Sequence, residues 1–350
     1  MRTNRFRLIV IVVNYKMSLC SNSVEISVII PLYNESDSIE QLFARLIPVL
    51  NSLNTSYEII CLNDGSQDDT LKKLVDFSQQ DSTIKVVNLS RNFGKEIALT
   101  AGIDYASGAA VIPIDADLQD PPELIVQLIA KWREGYDVVY ATRRSRQGES
   151  WIKRTTAKAF YRTIGKMSHV PIPSNTGDFR LLDRRVVEAI KKLPERTRFM
   201  KGLFAWVGYK QTSVLFDREP RHAGKTTWNY WKLWNFALDG IISFSFLPLK
   251  VWSYVGVAIS FISLLYALML VLRTLIFGVD VPGYASIMVA ILFLGGIQLI
   301  TLGVLGEYLG RVYEEVKGRP LYFVREEYGF DNQQSIANSE VKDERAANQR

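Results

Sequence analysis

Short apolar segments alternate with amphipathic segments between residues 25 and 142. The apolar segments have the length of buried strands and cover residues 26–30, 57–62, 85–89, 109–114 and 137–140. The segments between them have helical periodicity and cover residues 38–53, 70–80, 95–106 and 123–133. This alternation predicts an α/β fold, in which a mainly parallel, Rossmann-like sheet carries helices on both faces. From residue 150 to about 228 the pattern is irregular and rich in Arg and Lys.

Two longer apolar segments follow, at residues 251–272 and 284–306, and neither contains a charged residue. As a helix, each would rise about 33 Å, which is enough to cross a hydrocarbon core of roughly 30 Å. We therefore predict a carboxyl-terminal hairpin of two transmembrane helices over residues 249–310.

The segment before this hairpin carries Trp228, Trp231 and Trp234 at a spacing of three residues. On a helix these side chains share one side, which would suit a core stripe or an interfacial helix with its aromatic rings at headgroup depth. Because the segment directly precedes a predicted span, we favour an interfacial amphipathic helix over residues 227–248.

Basic residues flank the predicted spans on one side. Lys250 precedes the first span and Arg311 follows the second, whereas the connecting turn offers only Arg273 and Asp280. This asymmetry predicts a multi-pass protein of the inner (cytoplasmic) membrane, with the α/β domain and both termini in the cytoplasm. The other predicted regions are an amino-terminal extension, the α/β domain and a cytoplasmic tail, at residues 1–23, 24–226 and 311–350.

Composition narrows the range of partners. The net charge is +6, from 42 basic and 36 acidic residues, which suits an anionic partner such as a phosphate or a membrane surface. No basic tract is interleaved with a recognisable nucleic-acid-binding module, so we do not expect a nucleic-acid partner. Cys20 and Cys61 lack the spacing of a metal site.

A pair of carboxylates follows the fourth predicted strand. Asp115 and Asp117 are two residues apart, and functional groups of parallel sheets collect at the carboxyl ends of the strands. Such a pair can share a divalent cation that bridges a diphosphate, since Mg²⁺ usually takes one or two protein carboxylates together with substrate phosphates. A solvated turn is the alternative, and the position directly after a buried strand favours the metal site.

Polar residues also follow the first two predicted strands. They are residues 31–35 (Pro-Leu-Tyr-Asn-Glu) and residues 63–66 (Asn-Asp-Gly-Ser). Turn chemistry alone could explain each of them. Three polar strand ends in the same half of the sheet favour a nucleoside pocket, with Asp64 on the base and Glu35 on the ribose or base.

These motifs, in this order, resemble those of the family-2 glycosyltransferases. The match continues through residues 90–95 (Ser-Arg-Asn-Phe-Gly-Lys), 118–123 (Leu-Gln-Asp-Pro-Pro-Glu), 177–181 (Gly-Asp-Phe-Arg-Leu) and 221–226 (Arg-His-Ala-Gly-Lys-Thr). More narrowly, residues 24–325 are similar to the polyprenyl-phosphate glycosyltransferases, which include dolichol-phosphate mannose synthases and bactoprenol glucosyltransferases.

The resemblance implies a GT-A fold, dependence on Mg²⁺ or Mn²⁺, an inverting reaction and a homo-oligomer. It also implies a nucleotide-sugar donor and a polyprenyl phosphate acceptor. Asp115 and Asp117 then hold the metal, and Asp117 counts among the catalytic residues. The nucleotide-binding candidates are Pro31, Tyr33, Glu35, Asp64, Asp115 and Gln119.

A lipid phosphate acceptor sets its own requirements. It must lie beside the donor diphosphate, which calls for cationic side chains, because guanidinium binds phosphate bidentately. The phosphate-binding candidates are Arg143, Arg154, Arg221 and Lys225, each of which could also be a solvated surface charge. Asp178 is the candidate general base or acceptor-orienting carboxylate, with a salt bridge to Arg180 or a loop cap as the alternative.

We therefore predict transfer of a hexose to a polyprenyl phosphate, and the resemblance favours glucose from UDP-glucose with undecaprenyl phosphate. No short motif distinguishes UDP from GDP or one hexose from another. One alternative is a processive polysaccharide synthase, but such enzymes usually carry a Gln-x-x-Arg-Trp motif, which is absent here. The other is a non-catalytic membrane scaffold of the same fold, which loss of the metal carboxylates would favour, yet both are intact.

Overall fold

The structure is a computed structural model that describes residues 24–144, 176–193, 195, 196, 198, 200–217, 247–277 and 283–330. The predicted extension (1–23), the interfacial helix up to residue 246 and the end of the tail (331–350) lie outside the described residues. The described residues belong to two compact units. The sheet unit comprises residues 24–144, those described between 176 and 217, and 320–330. The hairpin unit comprises 247–277 and 283–319.

The described part of the sheet unit contains eight strands in one sheet. They are β1 (Ile26–Leu32), β2 (Tyr57–Asn63), β3 (Ile84–Leu89), β4 (Ala110–Pro113), β5 (Val138–Arg143), β6 (Thr176–Asp183), β7 (Gln211–Phe216) and β8 (Val324–Tyr328). Their order across the sheet is β7-β5-β6-β4-β1-β2-β3-β8. β1 pairs parallel with β2 and β4, β2 with β3, and β5 with β7, so the predicted mainly parallel sheet is confirmed.

Six helices are described in the sheet unit. They are α1 (Ile39–Ser52), α2 (Thr70–Gln80), α3 (Lys95–Tyr105), α4 (Leu124–Arg133), α5 (Arg184–Lys191) and α6 (Met200–Trp206). α1 shows why these segments fold as helices: Leu42, Leu46 and Leu50 recur at four-residue spacing and are all buried against the core. The five predicted strands and four predicted helices are confirmed, with ends that differ by at most a few residues.

The irregular region after residue 150 holds structure that the pattern did not reveal. Its described residues form β6, α5, α6 and β7, and β6 enters the sheet between β4 and β5. β6 is antiparallel to both of these neighbours. It carries Asp178 and the buried Arg180 inside the strand, so its sequence lacks the continuous apolar run of the central strands.

The hairpin unit consists of two long helices that contact each other, α7 (Leu247–Phe277) and α8 (Tyr284–Lys317). Their described apolar side chains are largely exposed, for example Phe261 at 62% and Leu299 at 71%. Among the described residues one segment, Phe293–Lys317, is long and apolar enough to cross a membrane. This is not the pair of spans that we predicted at 251–272 and 284–306, and the two-span topology stays a prediction.

The chain returns to the sheet after α8. Residues 324–328, which we had assigned to the tail, form β8 and pair antiparallel with β3. Asn88 of β3 donates from Nδ2 to Oε2 of Glu326 at 3.0 Å, and the Tyr105 hydroxyl donates to Glu327. The sequence of this strand, Val-Arg-Glu-Glu-Tyr, has no apolar run. An edge strand can remain largely exposed, so it does not need one.

Candidate active site

The topology gathers the predicted site residues at one edge of the sheet. The carboxyl ends of β1 to β4 share this edge because the strands are parallel. β6 runs the opposite way, and the pairing of Val111 with Leu182 brings its amino-terminal end, with Asp178, to the same edge. Arg143 is the last residue of β5, which also ends here. We call this edge the strand-end site and define it by Lys95, Asp115, Asp117, Arg143 and Asp178.

The loops after β1 and β2 are joined by hydrogen bonds. Asn34 has a left-handed backbone (φ 54°), donates from its backbone nitrogen to Ser66 Oγ at 3.0 Å, and accepts at Oδ1 from the backbone nitrogen of Gln67 at 2.8 Å. The backbone nitrogen of Glu35 donates to Thr70 Oγ1 at 3.0 Å. These contacts place the predicted nucleoside residues 31–35 and 63–66 side by side.

Asp64 fixes the start of α3. Its carboxylate is nearly buried and accepts from the backbone nitrogens of Phe93 at 2.7 Å and Gly94 at 2.9 Å. Burial raises the pKa of Asp64 above its usual value, although these two hydrogen bonds and Arg91 oppose the shift. The predicted contact of Asp64 with a base stays a prediction. What the structure shows is that Asp64 positions the residue after Gly94, which is Lys95.

The neighbouring glycine permits this close approach of two loops. Gly65 has φ +67°, and a Cβ placed there would lie 2.5 Å from both the carbonyl carbon of Arg91 and the backbone nitrogen of Asn92. Both obstacles are backbone atoms, so they cannot move aside as a flexible side chain would.

We therefore expect Gly65→Ala to destabilise the sheet unit by about 2 kcal/mol or more, from the steric conflict and the left-handed backbone together. Thermal unfolding of the purified chain measures this. Gly135→Ala is the matched control, because Gly135 also has positive φ (93°) but no atom within 4 Å of its Cβ position. Equal losses in the two variants would show that the loop contact contributes nothing.

Asp115 and Asp117 follow β4, as predicted. Asp117 is nearly buried, and its Oδ1 accepts from the backbone nitrogen of Gln119 at 3.2 Å. The turn between them and the next helix is sharp: Leu118 is buried and takes a left-handed backbone with φ 55°. The turn sets the direction of the Asp117 carboxylate and brings Gln119 beside it.

The ammonium group of Lys95 joins two of the candidate carboxylates. Its Nζ lies 2.7 Å from Asp115 Oδ1 and 2.7 Å from Asp178 Oδ2. Burial would lower the pKa of Lys95, but the two carboxylates outweigh burial and hold this pKa well above its usual value. Lys95 is therefore a cation that keeps Asp115 and Asp178 within about two hydrogen-bond lengths of each other. We had not assigned it a role; its place in the motif at 90–95 was the only signal.

Asp178 is ionised in this surrounding. Burial raises its pKa, but Lys95 and then Lys201, with Arg180, lower it to well below the usual value. The salt bridge from Arg180 to the Asp178 carboxylate, which was the alternative to a functional role for Asp178, is not formed between these described residues. The guanidinium instead donates to the backbone oxygen of Gly177 at 2.7 Å and to that of Asp178 at 3.4 Å, and it lies over the ring of Phe204 at 4.2 Å.

Glu96 is a further titratable group that sequence reasoning missed. Its Oε2 accepts from the backbone nitrogen of Met200 at 3.1 Å, which ties α3 to the start of α6. Burial first, and then the charge of Asp178, raise the pKa of Glu96 to about 7, against smaller opposing effects from Met200, Lys95 and Lys201. No local pattern indicates this environment, because α6 approaches from about a hundred residues away along the chain.

The raised pKa of Glu96 predicts a pH-dependent stability. Between about pH 4.5 and 7 the folded chain keeps a proton on Glu96 that the unfolded chain releases, so the contribution of Glu96 to the unfolding free energy falls as pH rises through this window. We therefore expect the thermal midpoint of Glu96→Gln, relative to that of the unmodified protein, to be higher at about pH 8 than at about pH 5. Glu40→Gln, at an exposed glutamate, is the control. A Glu96→Gln difference that is constant with pH would contradict this.

Arg143 has an unused donor at the strand-end site. Its Nε is buried without a hydrogen-bond partner among the described residues. A Cβ placed at Gly177 would lie 3.6 Å from Arg143 Nη2 and 3.7 Å from Asp120 Oδ2, so the guanidinium and this carboxylate both approach the start of β6. The structure thus places the Arg143 guanidinium beside Gly177, the residue before Asp178. The other phosphate-binding candidates, Arg154, Arg221 and Lys225, lie outside the described residues.

Comparison with known proteins identifies the family. The profile of glycosyl transferase family 2 matches residues 27–191, and that of the GtrB C-terminal hairpin matches residues 247–312. A Synechocystis protein named an uncharacterised glycosyltransferase is 72% identical over 88% of this chain and 97% of its own length. This chain belongs to glycosyl transferase family 2. It is a glycosyltransferase with an α/β domain of GT-A type and an apolar carboxyl-terminal hairpin that associates it with a membrane.

A second relative carries a more specific name. The bactoprenol glucosyl transferase of Shigella phage SfII is 48% identical over 87% of this chain and 99% of its own length. Among solved structures, glucosyl-3-phosphoglycerate synthase of Mycobacterium tuberculosis, in complex with Mn²⁺, UDP-glucose and phosphoglyceric acid, is 22% identical. It covers 63% of this chain and 78% of that one, with a TM-score of 0.41.

Proposed function

We propose that this glycosyltransferase transfers glucose from UDP-glucose to a polyprenyl phosphate at a membrane surface. The observation that carries the proposal is the strand-end site, where Lys95 joins Asp115 to Asp178, in a chain that also has an apolar hairpin. The name of the phage relative supports both the sugar and the lipid class, since that relative matches over nearly its whole length.

On the donor side, the site is proposed to hold a diphosphate. Asp115 and Asp117 offer hard oxygen ligands of the kind that Mg²⁺ and Mn²⁺ prefer. No group of three or more His, Cys, Asp or Glu side chains that could hold a metal occurs within the described residues. We propose that Asp115 and Asp117 together would hold a cation that also takes oxygens from the donor diphosphate. When bound there, such a cation would offset the charge of the departing diphosphate.

The nucleoside pocket remains a proposal on the same edge. Pro31, Tyr33 and Glu35 lie at or after the end of β1, and the hydrogen bonds between the two loops hold them next to the Asp64 loop. Tyr33 is 42% exposed, so its ring is accessible to a base or ribose. Gln119 extends the pocket from the β4 side.

On the acceptor side, the lipid phosphate meets Arg143. Because the unpartnered Nε of Arg143 is a charged donor, a phosphate oxygen is a suitable partner for it. A phosphate monoester has a second pKa near 6, so at neutral pH it is largely ionised and needs no strong base. Arg154, Arg221 and Lys225 are the further proposed contacts.

The reaction proposed here is a single displacement. An oxygen of the lipid phosphate forms a bond to the anomeric carbon, while the bond from that carbon to the donor diphosphate breaks and its electron pair leaves with UDP. One displacement inverts the configuration at this carbon. Because Lys95 joins Asp178 to Asp115, Asp178 is proposed to lie beside the transferred sugar. It is proposed to contact the sugar rather than to take a proton, because its low pKa makes it a weak base.

For the membrane topology, we propose two spans and a cytoplasmic α/β domain, assembled as a homo-oligomer. Residues 277–283 should then be the only outward turn. We expect an impermeant maleimide added to intact cells to label a single cysteine placed at Val279, and not one placed at Ser36 in the loop after β1. Both measurements start from a chain without Cys20 and Cys61. Labelling at Ser36 would contradict this orientation.

A transfer assay tests the proposed function. The full chain in detergent or nanodiscs is given UDP-glucose, UDP-galactose or GDP-mannose, with undecaprenyl phosphate, and the lipid product is identified by mass spectrometry. We expect a glucosylated lipid only with UDP-glucose and only with divalent metal, and a β configuration by NMR. UDP release that does not depend on lipid phosphate, or a polymeric product, would overturn the proposal.

A further inference from the structure

The two carboxylate oxygens of Asp178 have different surroundings. Oδ2 accepts from Lys95 Nζ at 2.7 Å. Oδ1 is buried and has no hydrogen-bond partner among the described residues. The whole side chain is only 11% exposed. Buried polar atoms are normally satisfied, since an unsatisfied one costs about 1–3 kcal/mol and a charged one more. Oδ1 is therefore a strong acceptor held ready for a donor that the described chain does not supply.

The direction of this carboxylate is fixed from two sides. Arg180 donates to the backbone oxygens of Gly177 and Asp178, which anchors the main chain at the start of β6. Lys95 anchors Oδ2, and Lys95 itself starts a helix whose entry is held by Asp64. Both anchors leave Oδ1 without a hydrogen-bond partner in the described part of the chain. Such positioning suits recognition of a ligand group, which requires a fixed geometry.

The chemistry of the substrates selects the partner. An ionised carboxylate can only accept a hydrogen bond, and it repels the donor diphosphate and the lipid phosphate, which are both anions. The hydroxyls of the transferred hexose are neutral donors. They are also near, because the hexose is attached to the diphosphate that a cation on Asp115 and Asp117 would hold, and Lys95 keeps Asp178 next to Asp115.

We propose that Asp178 Oδ1 accepts a hydrogen bond from one hydroxyl of the transferred hexose, and that Lys95 is the positioning residue that holds Oδ2. This inference rests on the proposed function, because it requires a hexose on the donor. Asp178 is then the residue that determines sugar specificity. A site that is built to bond a hydroxyl rejects an analogue that lacks it, since the buried acceptor is left unsatisfied.

The test uses UDP-glucose and its 2-, 3-, 4- and 6-deoxy analogues as donors, with undecaprenyl phosphate as acceptor and the full chain as enzyme. For the unmodified enzyme we expect kcat/KM to fall about 100-fold or more with one analogue. In Asp178→Ala this discrimination should shrink to a few-fold for that analogue alone, while the dissociation constant of UDP stays unchanged. Asp178→Val, which removes the acceptor oxygens but keeps a branched side chain of similar size, serves if the alanine variant does not fold.

Lys95→Arg separates positioning from general support of the fold. A guanidinium can still bond Oδ2, so we expect it to retain most of the discrimination against the same analogue. The inference is overturned if, for every deoxy analogue, the fall in kcat/KM relative to UDP-glucose is the same in the Asp178 variants as in the unmodified enzyme. It is also overturned if Asp178→Ala raises only the KM for lipid phosphate. Absence of transfer from every UDP-hexose would instead count against the proposed function.

Discussion

Asp117→Asn should abolish most of the transferase activity, with a loss on the order of a thousandfold in kcat/KM. The substitution keeps an oxygen that can accept from the Gln119 backbone, so the turn should survive. It removes the negative charge that would hold a divalent cation, and charge stabilisation by such a cation contributes several kcal/mol, at 1.36 kcal/mol for each tenfold change in rate. The measurement is initial rate against Mn²⁺ or Mg²⁺ concentration.

Asp76→Asn is the matched control for this experiment, because Asp76 is an exposed residue in the second half of α2 and is not one of the candidate site residues. Its activity and metal dependence should be those of the unmodified enzyme. Near-normal activity of Asp117→Asn in the presence of a chelator would refute the metal assignment at residues 115 and 117.

Lys95→Met should reduce both activity and stability. Without the ammonium group, the Asp178 carboxylate loses its closest cation while it remains buried, and this should cost about 2 kcal/mol, given that Lys95 itself is partly exposed. The same loss leaves Asp178 without its anchor and adds uncompensated negative charge beside two anionic substrates. We expect kcat/KM to fall about 100-fold or more.

The control for Lys95→Met is Lys73→Met. Lys73 Nζ lies 2.9 Å from Glu40 Oε1, a pair of similar length but on the surface, where ion pairs contribute little. Activity and thermal midpoint should be nearly unchanged. Equal losses of activity and thermal midpoint in the two variants would show that the ion pairs of Lys95 with Asp115 and Asp178 contribute no more than a surface ion pair.

Some of the features behind these expectations could be predicted from the sequence, and others could not. The Asp115 and Asp117 pair could be found because its signal is local: a buried strand followed directly by two carboxylates. The parallel half of the sheet followed from the alternation of segments for the same reason. Hydrophobic periodicity is a property of neighbouring residues, and it needs no knowledge of which strands pair.

The contacts of Lys95, Glu96 and Asp64 could not be found in this way. Lys95 contacts Asp178 because an antiparallel strand, β6, enters the sheet beside β4. The local sequence pattern of β6 does not predict which strands it pairs with. Glu96 acquires its environment from Met200, which is 104 residues away. The contact of Asp64 with a base stays a prediction, but the hydrogen bonds of its carboxylate to the backbone nitrogens of residues 93 and 94 join segments about thirty residues apart, which no local pattern indicates.

The last strand of the sheet has a consequence for synthesis of the chain. Asn88 and Glu326, which bond across β3 and β8, are 238 residues apart. At roughly 5–20 residues per second, the ribosome makes β8 about 10–50 s after β3, and only after both helices of the hairpin. Until then β3 is an open edge, and open edges invite pairing with other chains. Completion of the sheet must therefore await the hairpin, and a nascent chain that stalls before residue 324 leaves β3 uncovered.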